Sequence, residues 1–264
     1  MDKMKIAAVG DNCIDLYENL EKAFPGGNPV NIAVYFKRLG GEASYTGVVG
    51  DDEYGKFMID AIRNKGVDVS NIKILPGKTA ITHVELVGGE RILGDYEEGV
   101  MKDFKISDED IEFFKAHDMV VSGLWGMIEE DLYKIKKRGI PIAFDFANKL
   151  DSPIVEKAIY DVDYAFFSYD GGDDGFIREY MKKNYRKGPK LIIVTLGEKG
   201  SICYDGTRFV YEKAIPCEVV DAMGAGDSYI AGFLFGVLSG KEIEECMKMG
   251  TQNASTTIKY CGAW

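Results

Sequence analysis

Near the start of the chain, the hydrophobic positions predict a strand, a helix, a second strand and a second helix. The apolar runs at 5–9 and 43–49 are typical of buried strands. Between them, Pro29 suits the first turn of a helix over 28–39. After Asp52, apolar side chains recur at helical spacing. This alternation favours a parallel sheet that is covered by helices on both faces.

Residues 79–96 interrupt the alternation with two strand-like runs on either side of Gly88 and Gly89. A two-residue glycine turn between such runs predicts a β-hairpin. We expect a small β lid formed mainly by about 79–98, to which 11–25 could contribute.

The rest of the chain returns to the α/β pattern, which favours a single domain over 1–264. Strands are predicted near 119–121, 141–146, 164–167, 191–196, 201–204, 208–211 and 217–220. Helices are predicted near 108–116, 129–137, 154–158 and 175–183, with three more that begin near Gly224, Glu242 and Thr251.

The acidic composition narrows the range of partners. Asp and Glu total 43 against 32 Lys and Arg, which gives a net charge of −11 and disfavours nucleic acid as a partner. No apolar run is long enough for a membrane span, and the first residues do not resemble a signal peptide. The five cysteines are scattered and form no CxxC pair, which is typical of reduced thiols in a cytoplasmic protein.

The segment 221–228, with the sequence DAMGAGDS, holds the strongest indication of chemistry. The helical pattern begins at Ala225, so Gly224 and Gly226 lie at a helix N-terminus that could bind an anion through backbone N–H groups. Asp227 would place a carboxylate beside that anion, where it could accept the proton of an attacking hydroxyl. A purely structural alternative is a close-packing turn in which Asp227 complements the helix dipole. Walker A and GxGxxG patterns are absent, which argues against P-loop ATPases and dinucleotide-dependent dehydrogenases.

Three separate motifs resemble signatures of the ribokinase-like (PfkB) carbohydrate kinases. They are GGNPVN at 26–31 with GVVGDDEYG at 47–55, TLGEKG at 195–200, and DAMGAGDS at 221–228. They follow the family's order along the whole chain, and the hairpin at 79–96 matches the family's lid. The resemblance implies a ribokinase-like α/β fold with a mainly parallel central sheet. It also implies transfer of the γ-phosphoryl group of ATP to a sugar hydroxyl, with Mg²⁺ as cofactor.

Other runs resemble the fructoselysine kinases within this family, namely GDNCIDLY, FPGGNPVNIAVY, GDYEEGVMKDF, AFDFANKLDSP and the final GAW. Those enzymes phosphorylate a lysine whose ε-amine carries a 1-deoxyfructosyl group. The resemblance therefore implies transfer to the 6-hydroxyl of fructoselysine. Two alternatives stay open: a kinase for another sugar, such as fructose or ribose, or for a nucleoside, and a non-catalytic protein that binds a sugar or nucleotide.

The resemblance also implies roles for individual residues. Asp227 matches the catalytic base, and Gly224, Ala225 and Gly226 match the backbone amides that hold the transferring phosphoryl group. Asp15 matches the carboxylate that binds sugar hydroxyls, with Asp11 beside it as a second candidate, and Gly27 and Asn31 match the sugar-facing edge of the first signature. The matching nucleotide-site positions are Thr195, Gly197, Gly200 and Asn253.

Two departures from the family pattern concern cations. The usual Asn-x-x-Glu motif near Mg²⁺ is missing from the stretch 167–174, where Asp170, Asp173 and Asp174 are the candidate carboxylates. Some relatives bind a monovalent cation near the residue that matches Asp221, and here Ala222 replaces the threonine that usually follows it.

The lid residues suggest how a charged substrate could be recognised. Arg91 could bind the carboxylate of fructoselysine, and Tyr96 lies on the same predicted strand, close to the sugar. A solvated, charged hairpin is the structural alternative. Because a projecting hairpin exposes a sheet edge, we also expect a homodimer that pairs through the lid.

Overall fold

A nine-stranded sheet runs through the centre of the molecule. The computed structural model describes residues 3–17, 19, 22–87 and 90–264, without the side chains of 86, 87 and 90–93. The strands of this sheet and of a second, smaller sheet are β1 (Lys5–Val9), β2 (Cys13–Tyr17), β3 (Lys22–Gly26), β4 (Glu42–Gly50), β5 (Ile72–Leu75), β6 (Ile81–Val87), β7 (Glu90–Glu97), β8 (Met119–Gly123), β9 (Ile142–Asp145), β10 (Tyr164–Ser168), β11 (Leu191–Thr195), β12 (Ser201–Tyr204) and β13 (Phe209–Glu212). Its α-helices are α1 (Asn28–Arg38), α2 (Glu53–Asn64), α3 (Asp108–Phe114), α4 (Leu132–Lys137), α5 (Pro153–Ala158), α6 (Gly175–Tyr185), α7 (Ala225–Leu238) and α8 (Ile243–Thr257).

The strand order confirms the predicted α/β fold. The central sheet has the order β13-β12-β11-β10-β9-β8-β1-β4-β5. Every neighbouring pair from β11 to β5 is parallel, whereas β12 runs antiparallel to both β11 and β13. The carboxyl ends of the parallel strands therefore share one edge, which is where open α/β sheets place their ligands.

Each central strand sends alternate side chains into two separate hydrophobic cores. In β1, Ile6 and Ala8 belong to the core that includes α1, α2, α7 and α8, whereas Ala7 and Val9 belong to the core that includes α3 to α6. Both faces are covered, which explains why the central strands are continuous apolar runs in the sequence. No helix in the described part of the chain is long and apolar enough to cross a membrane.

A second sheet of four strands lies beside the carboxyl edge, in the order β3-β2-β6-β7. The hairpin predicted for 79–96 is present as β6 and β7, which pair antiparallel, while its expected turn at Gly88 and Gly89 lies outside the described residues. Strand β2 joins the hairpin by pairing parallel with β6. The segment directly after β1 thus passes from the central sheet into the second one, and residues that follow β1 lie between the two.

Two local predictions are wrong, and both have a packing reason. The run 217–220 is irregular rather than a strand, and Val219 and Val220 are exposed because this segment borders a cavity instead of pairing with a sheet. The helices predicted to begin near Glu242 and Thr251 are one helix, α8. Gly250 lies inside α8, where a Cβ would be 2.9 Å from the carbonyl oxygen of Tyr229 in α7, so the glycine is there for close helix packing and not as a helix end.

Candidate active site

Asp227 lies in the first turn of α7, where two asparagine side chains from α1 bind its carboxylate. The Asn28 Nδ2 atom donates to Asp227 Oδ1 at 2.6 Å, and the Asn31 Nδ2 atom donates to Asp227 Oδ2 at 2.7 Å. Burial raises the pKa of Asp227 to about 6, although both amide donors act to lower it. The group therefore changes protonation near neutral pH, as a general base needs to do.

The close approach of α1 to the end of β1 brings the two asparagines to this position. Gly27 precedes the helix with a φ of 115°, and a Cβ on it would lie 2.7 Å from both the Asn12 Cα atom and the Asp11 carbonyl oxygen. A side chain at position 27 would push the helix away. Here Gly27 contacts backbone directly, and Pro29 fits the first turn of α1 as expected.

Asn28 also links Asp227 to two further carboxylates at the carboxyl edge of the sheet. Its Nδ2 atom donates to Asp145 Oδ2 at 2.8 Å, and its backbone N–H donates to Asp11 Oδ2 at 3.2 Å. Burial is the main reason that the pKa values of Asp11 and Asp145 rise to about 7, and the charge of Asp227 adds to both. The sequence reasoning missed Asn28 and Asp145 as site residues. The signal for Asp145 was its position at the end of a predicted strand, in the run AFDFANK.

The second sheet contributes Asp15 and Tyr96 to the same region. Asp15 in β2 is 8% exposed, and its Oδ1 atom is 3.6 Å from the Cys13 thiol. Tyr96 in β7 is half-exposed, and its pKa is raised mainly by the burial of part of its ring and then by the nearby Cys13 and Asp11. The backbone of Arg91 pairs with Leu86 in the hairpin, but the Arg91 side chain lies outside the described part of the structure.

On the other side of Gly226 lies a cavity of about 700 Å³. Thr195, Gly197 and Gly200, the residues predicted for a nucleotide site, line it. The α7 residues Ala225, Gly226 and Tyr229 also line it. A Cβ on Gly226 would meet no heavy atom within 4 Å, so this part of the α7 N-terminus is open to a ligand. Gly224 is the N-terminal cap of α7 and adopts a φ of 71°.

Asn253 does not lie where the resemblance implies. It is 6% exposed, its Nδ2 atom donates to the Ser228 carbonyl oxygen at 2.7 Å, and its Oδ1 atom accepts from Arg38 at 3.0 Å. These bonds direct the amide into the packing between α1, α7 and α8. The α8 side of the cavity is lined instead by Thr251, Ala254, Ser255 and Ile258.

The three carboxylates proposed as metal ligands differ in the hydrogen bonds that they accept from the protein. Asp173 forms two hydrogen bonds with Arg178, at 2.6 and 2.8 Å. Asp174 caps α6 through the Ile177 N–H at 2.9 Å and accepts from the Tyr169 hydroxyl at 3.0 Å. Asp170 is exposed and lines the cavity. Of the three candidates, Asp170 is therefore the one that lines the cavity.

The loop before α7 is tied to the last residues of the chain. Asp221 Oδ1 accepts from the Met223 N–H at 3.0 Å, and Asp221 Oδ2 accepts from the Gly262 N–H at 2.7 Å. The carboxylate proposed for a monovalent cation thus also holds the loop that leads to Asp227.

Comparison with known proteins agrees with this geometry. The model of the pfkB family carbohydrate kinases matches residues 3–263. The chain is 43% identical to the fructoselysine 6-kinases of Shigella flexneri and of Escherichia coli K12, over 98% of this chain and 99% of each relative. It resembles the solved structure of Arabidopsis thaliana ribokinase complexed with ribose and ATP, with a TM-score of 0.87 at 24% identity, over 99% of this chain and 94% of that one.

The chain belongs to the pfkB family of carbohydrate kinases. The family resemblance and the ribokinase-like fold predicted from the motifs are thereby confirmed. The protein is an enzyme that transfers a phosphoryl group to an alcohol group.

Proposed function

We propose that this protein is an ATP-dependent kinase that phosphorylates the 6-hydroxyl of fructoselysine. The observation that carries the proposal is the position of Asp227, between the carboxylates at the end of the central sheet and the open N-terminus of α7. A sugar bound on the first side would present a hydroxyl to Asp227, and ATP bound in the cavity would present its γ-phosphoryl group to the same point.

Asp227 is proposed as the general base. Asn28 and Asn31 hold its two oxygens, so that the ionised carboxylate is oriented before the sugar binds. As the sugar oxygen attacks the γ-phosphorus, the bond from that phosphorus to ADP breaks and Asp227 accepts the hydroxyl proton. We propose that the backbone N–H groups at this helix start that are free within the described structure, those of Gly224 and Gly226, stabilise the negative charge on the transferring group. The Ala225 N–H, which matches the same family motif, donates to the Ala222 carbonyl oxygen at 3.2 Å in the structure.

Asp170 is the proposed protein contact for Mg²⁺. A carboxylate is the type of ligand that Mg²⁺ prefers, and the ion usually keeps several waters and binds substrate phosphates as well. Among the described residues, no cluster of three or more acidic, histidine or cysteine side chains could hold a metal by itself. One carboxylate at the wall of the cavity fits an ion that arrives with ATP, and the ion would supply charge neutralisation on the phosphates.

The charges in the sugar site support fructoselysine over a neutral sugar. Asp11 and Asp145 are carboxylates in a largely enclosed site, and no lysine or arginine is among the described groups that shift the pKa of either one. Their neighbour Asp227 is acidic too, so a substrate that carries a positive charge would relieve the repulsion. Fructoselysine has a protonatable amine next to its sugar. Arg91 is proposed to bind the carboxylate at the other end of the substrate.

The test compares ADP release from ATP and Mg²⁺ in the presence of fructoselysine, fructose, ribose or no sugar. We expect release with fructoselysine, and a phosphorylated product that mass and NMR spectra locate at the 6-hydroxyl. Asp227→Asn should lower turnover about 100-fold or more while ATP binding is retained. Strong turnover on another sugar would show that fructoselysine is not the substrate. ATP binding without any turnover would favour the non-catalytic alternative.

We also propose that the protein acts in the cytoplasm as a homodimer that pairs through the second sheet. Strand β7 lies at an edge of that sheet, and an unpaired edge offers hydrogen-bonding groups to a second copy. Light scattering after size-exclusion chromatography would test the dimer. Activation by K⁺ in a buffer without other monovalent cations would test the proposed cation at Asp221.

A further inference from the structure

The side chain of Trp264, the last residue of the sequence, contacts the candidate active site. Its indole Nε1 atom donates to Asn31 Oδ1 at 2.7 Å. Asn31 is 6% exposed, and its other amide atom, Nδ2, donates to Asp227 Oδ2 at 2.7 Å. A single side-chain amide therefore connects the indole to the proposed base.

This connection determines which way the Asn31 amide points. An amide side chain has one accepting end and one donating end, and the indole N–H can only donate. With Oδ1 bound to Trp264, the NH₂ group must face Asp227. In the reversed orientation, the amide oxygen would face the carboxylate and the NH₂ group would face the indole N–H, so both contacts would be repulsive.

The residues directly before Trp264 are hydrogen-bonded to the loop that precedes α7 and to α1. The Gly262 N–H donates to Asp221, in the loop before α7, at 2.7 Å. The Ala263 carbonyl oxygen accepts from the hydroxyl of Tyr35, which lies in α1. These bonds hold the indole between the two elements that supply the base and its amide partner.

We propose that Trp264 is a positioning residue that orients the Asn31 amide toward Asp227. It does not touch the reacting atoms, and it acts only through Asn31. This inference rests on the proposed role of Asp227 as the base. It gives a role to the indole N–H; the final GAW is part of the resemblance described above, but that resemblance assigns Trp264 no function.

A double-mutant cycle measures whether Trp264 acts through Asn31. Trp264→Phe keeps an aromatic ring but removes the N–H, and should lower kcat on the order of tenfold, with the KM for the sugar within about twofold. Asn31→Ala should lower kcat at least as far. In the Asn31→Ala background, Trp264→Phe should have almost no further effect, because its only route to Asp227 is gone. Additive losses would overturn the proposal.

A second readout does not depend on turnover. The pKa of Asp227, followed by ¹³C NMR of its carboxyl carbon, should rise by about one unit in Trp264→Phe, because the Asn31 donor is no longer held in place. Lys65→Ala is the matched control. The Lys65 Nζ atom lies 5.5 Å from the centre of the Trp264 ring, so this variant removes a ring contact and leaves the N–H.

The control should change neither the Asp227 pKa nor kcat. An unchanged Asp227 pKa in a folded Trp264→Phe protein would refute the positioning role, as would an equal rise in Lys65→Ala. If the wild-type protein phosphorylated none of the sugars, the proposed function would fail. The NMR comparison would still decide whether Trp264 orients Asn31.

Discussion

Asp11→Asn should stabilise the folded protein while weakening its activity. Asp11 is 9% exposed, its Oδ2 atom accepts from the Asn28 N–H, and its Oδ1 atom is buried without a hydrogen-bond partner among the described residues. Burial, with the charge of Asp227, raises its pKa to about 7. Asparagine has nearly the same shape and can accept from Asn28, but it carries no charge. The substitution therefore removes the unfavourable burial of an anion.

The size of the effect follows from the pKa values of 3.8 for an ordinary aspartate and about 7 for Asp11 in the folded protein. Because the folded-state pKa is the higher one, stability is lost as the pH rises from 3.8 toward 7. At about 1.4 kcal/mol per pKa unit, ionised Asp11 lowers the free energy of unfolding by up to about 4 kcal/mol near pH 8, and by about 1.5 kcal/mol near pH 5. The expected gain from Asp11→Asn is thus about 2.5 kcal/mol larger near pH 8 than near pH 5.

Urea unfolding of the wild-type and variant proteins at the two pH values would measure this difference. Asp103→Asn is the control, because Asp103 is exposed and its replacement should change stability by less than about 0.5 kcal/mol at either pH. A gain of equal size at both pH values, or a loss of stability near pH 8, would refute the electrostatic reasoning. Activity on fructoselysine should fall in the Asp11 variant, because the carboxylate is proposed to bind the sugar.

Three further predictions concern the reaction itself. Asp227 must be ionised to act as a base, and its pKa is raised to about 6. The value of kcat/KM should therefore fall about tenfold per pH unit below about pH 6. A profile that stays flat down to pH 5 would contradict the assignment of Asp227 as the base. Arg91→Ala should raise the KM for fructoselysine but not for an analogue that lacks the carboxylate. An equal rise in KM for both compounds would show that Arg91 does not bind the substrate carboxylate. Asp170→Asn should raise the Mg²⁺ concentration needed for half-maximal rate. Asp173→Asn should not, because Asp173 is already paired with Arg178. Equal responses of the two variants would contradict the proposal that Asp170 contacts Mg²⁺.

The sequence determined the elements whose causes are local. The strand β1 and the start of α1 follow from apolar spacing and from Pro29, since these signals act between neighbouring residues. The family could also be recognised, because its motifs are short runs in which each residue keeps a fixed place. The same local reasoning divided α8 into two helices, with the second beginning near Thr251, directly after Gly250. The need for glycine there comes from Tyr229, twenty-one residues earlier in the chain and on another helix.

Only the tertiary structure decided how the candidate site is assembled. Asn28 donates to Asp145, 117 positions further along the chain, and Trp264 donates to Asn31 across 233 positions. No spacing rule in one sequence connects such residues. They meet because the parallel strands place their carboxyl ends at one edge, and because α1, α7 and the last residues pack at that edge. The raised pKa values of Asp11, Asp145 and Asp227 have the same origin, since they depend on burial and on the distance between charges that are far apart in the sequence.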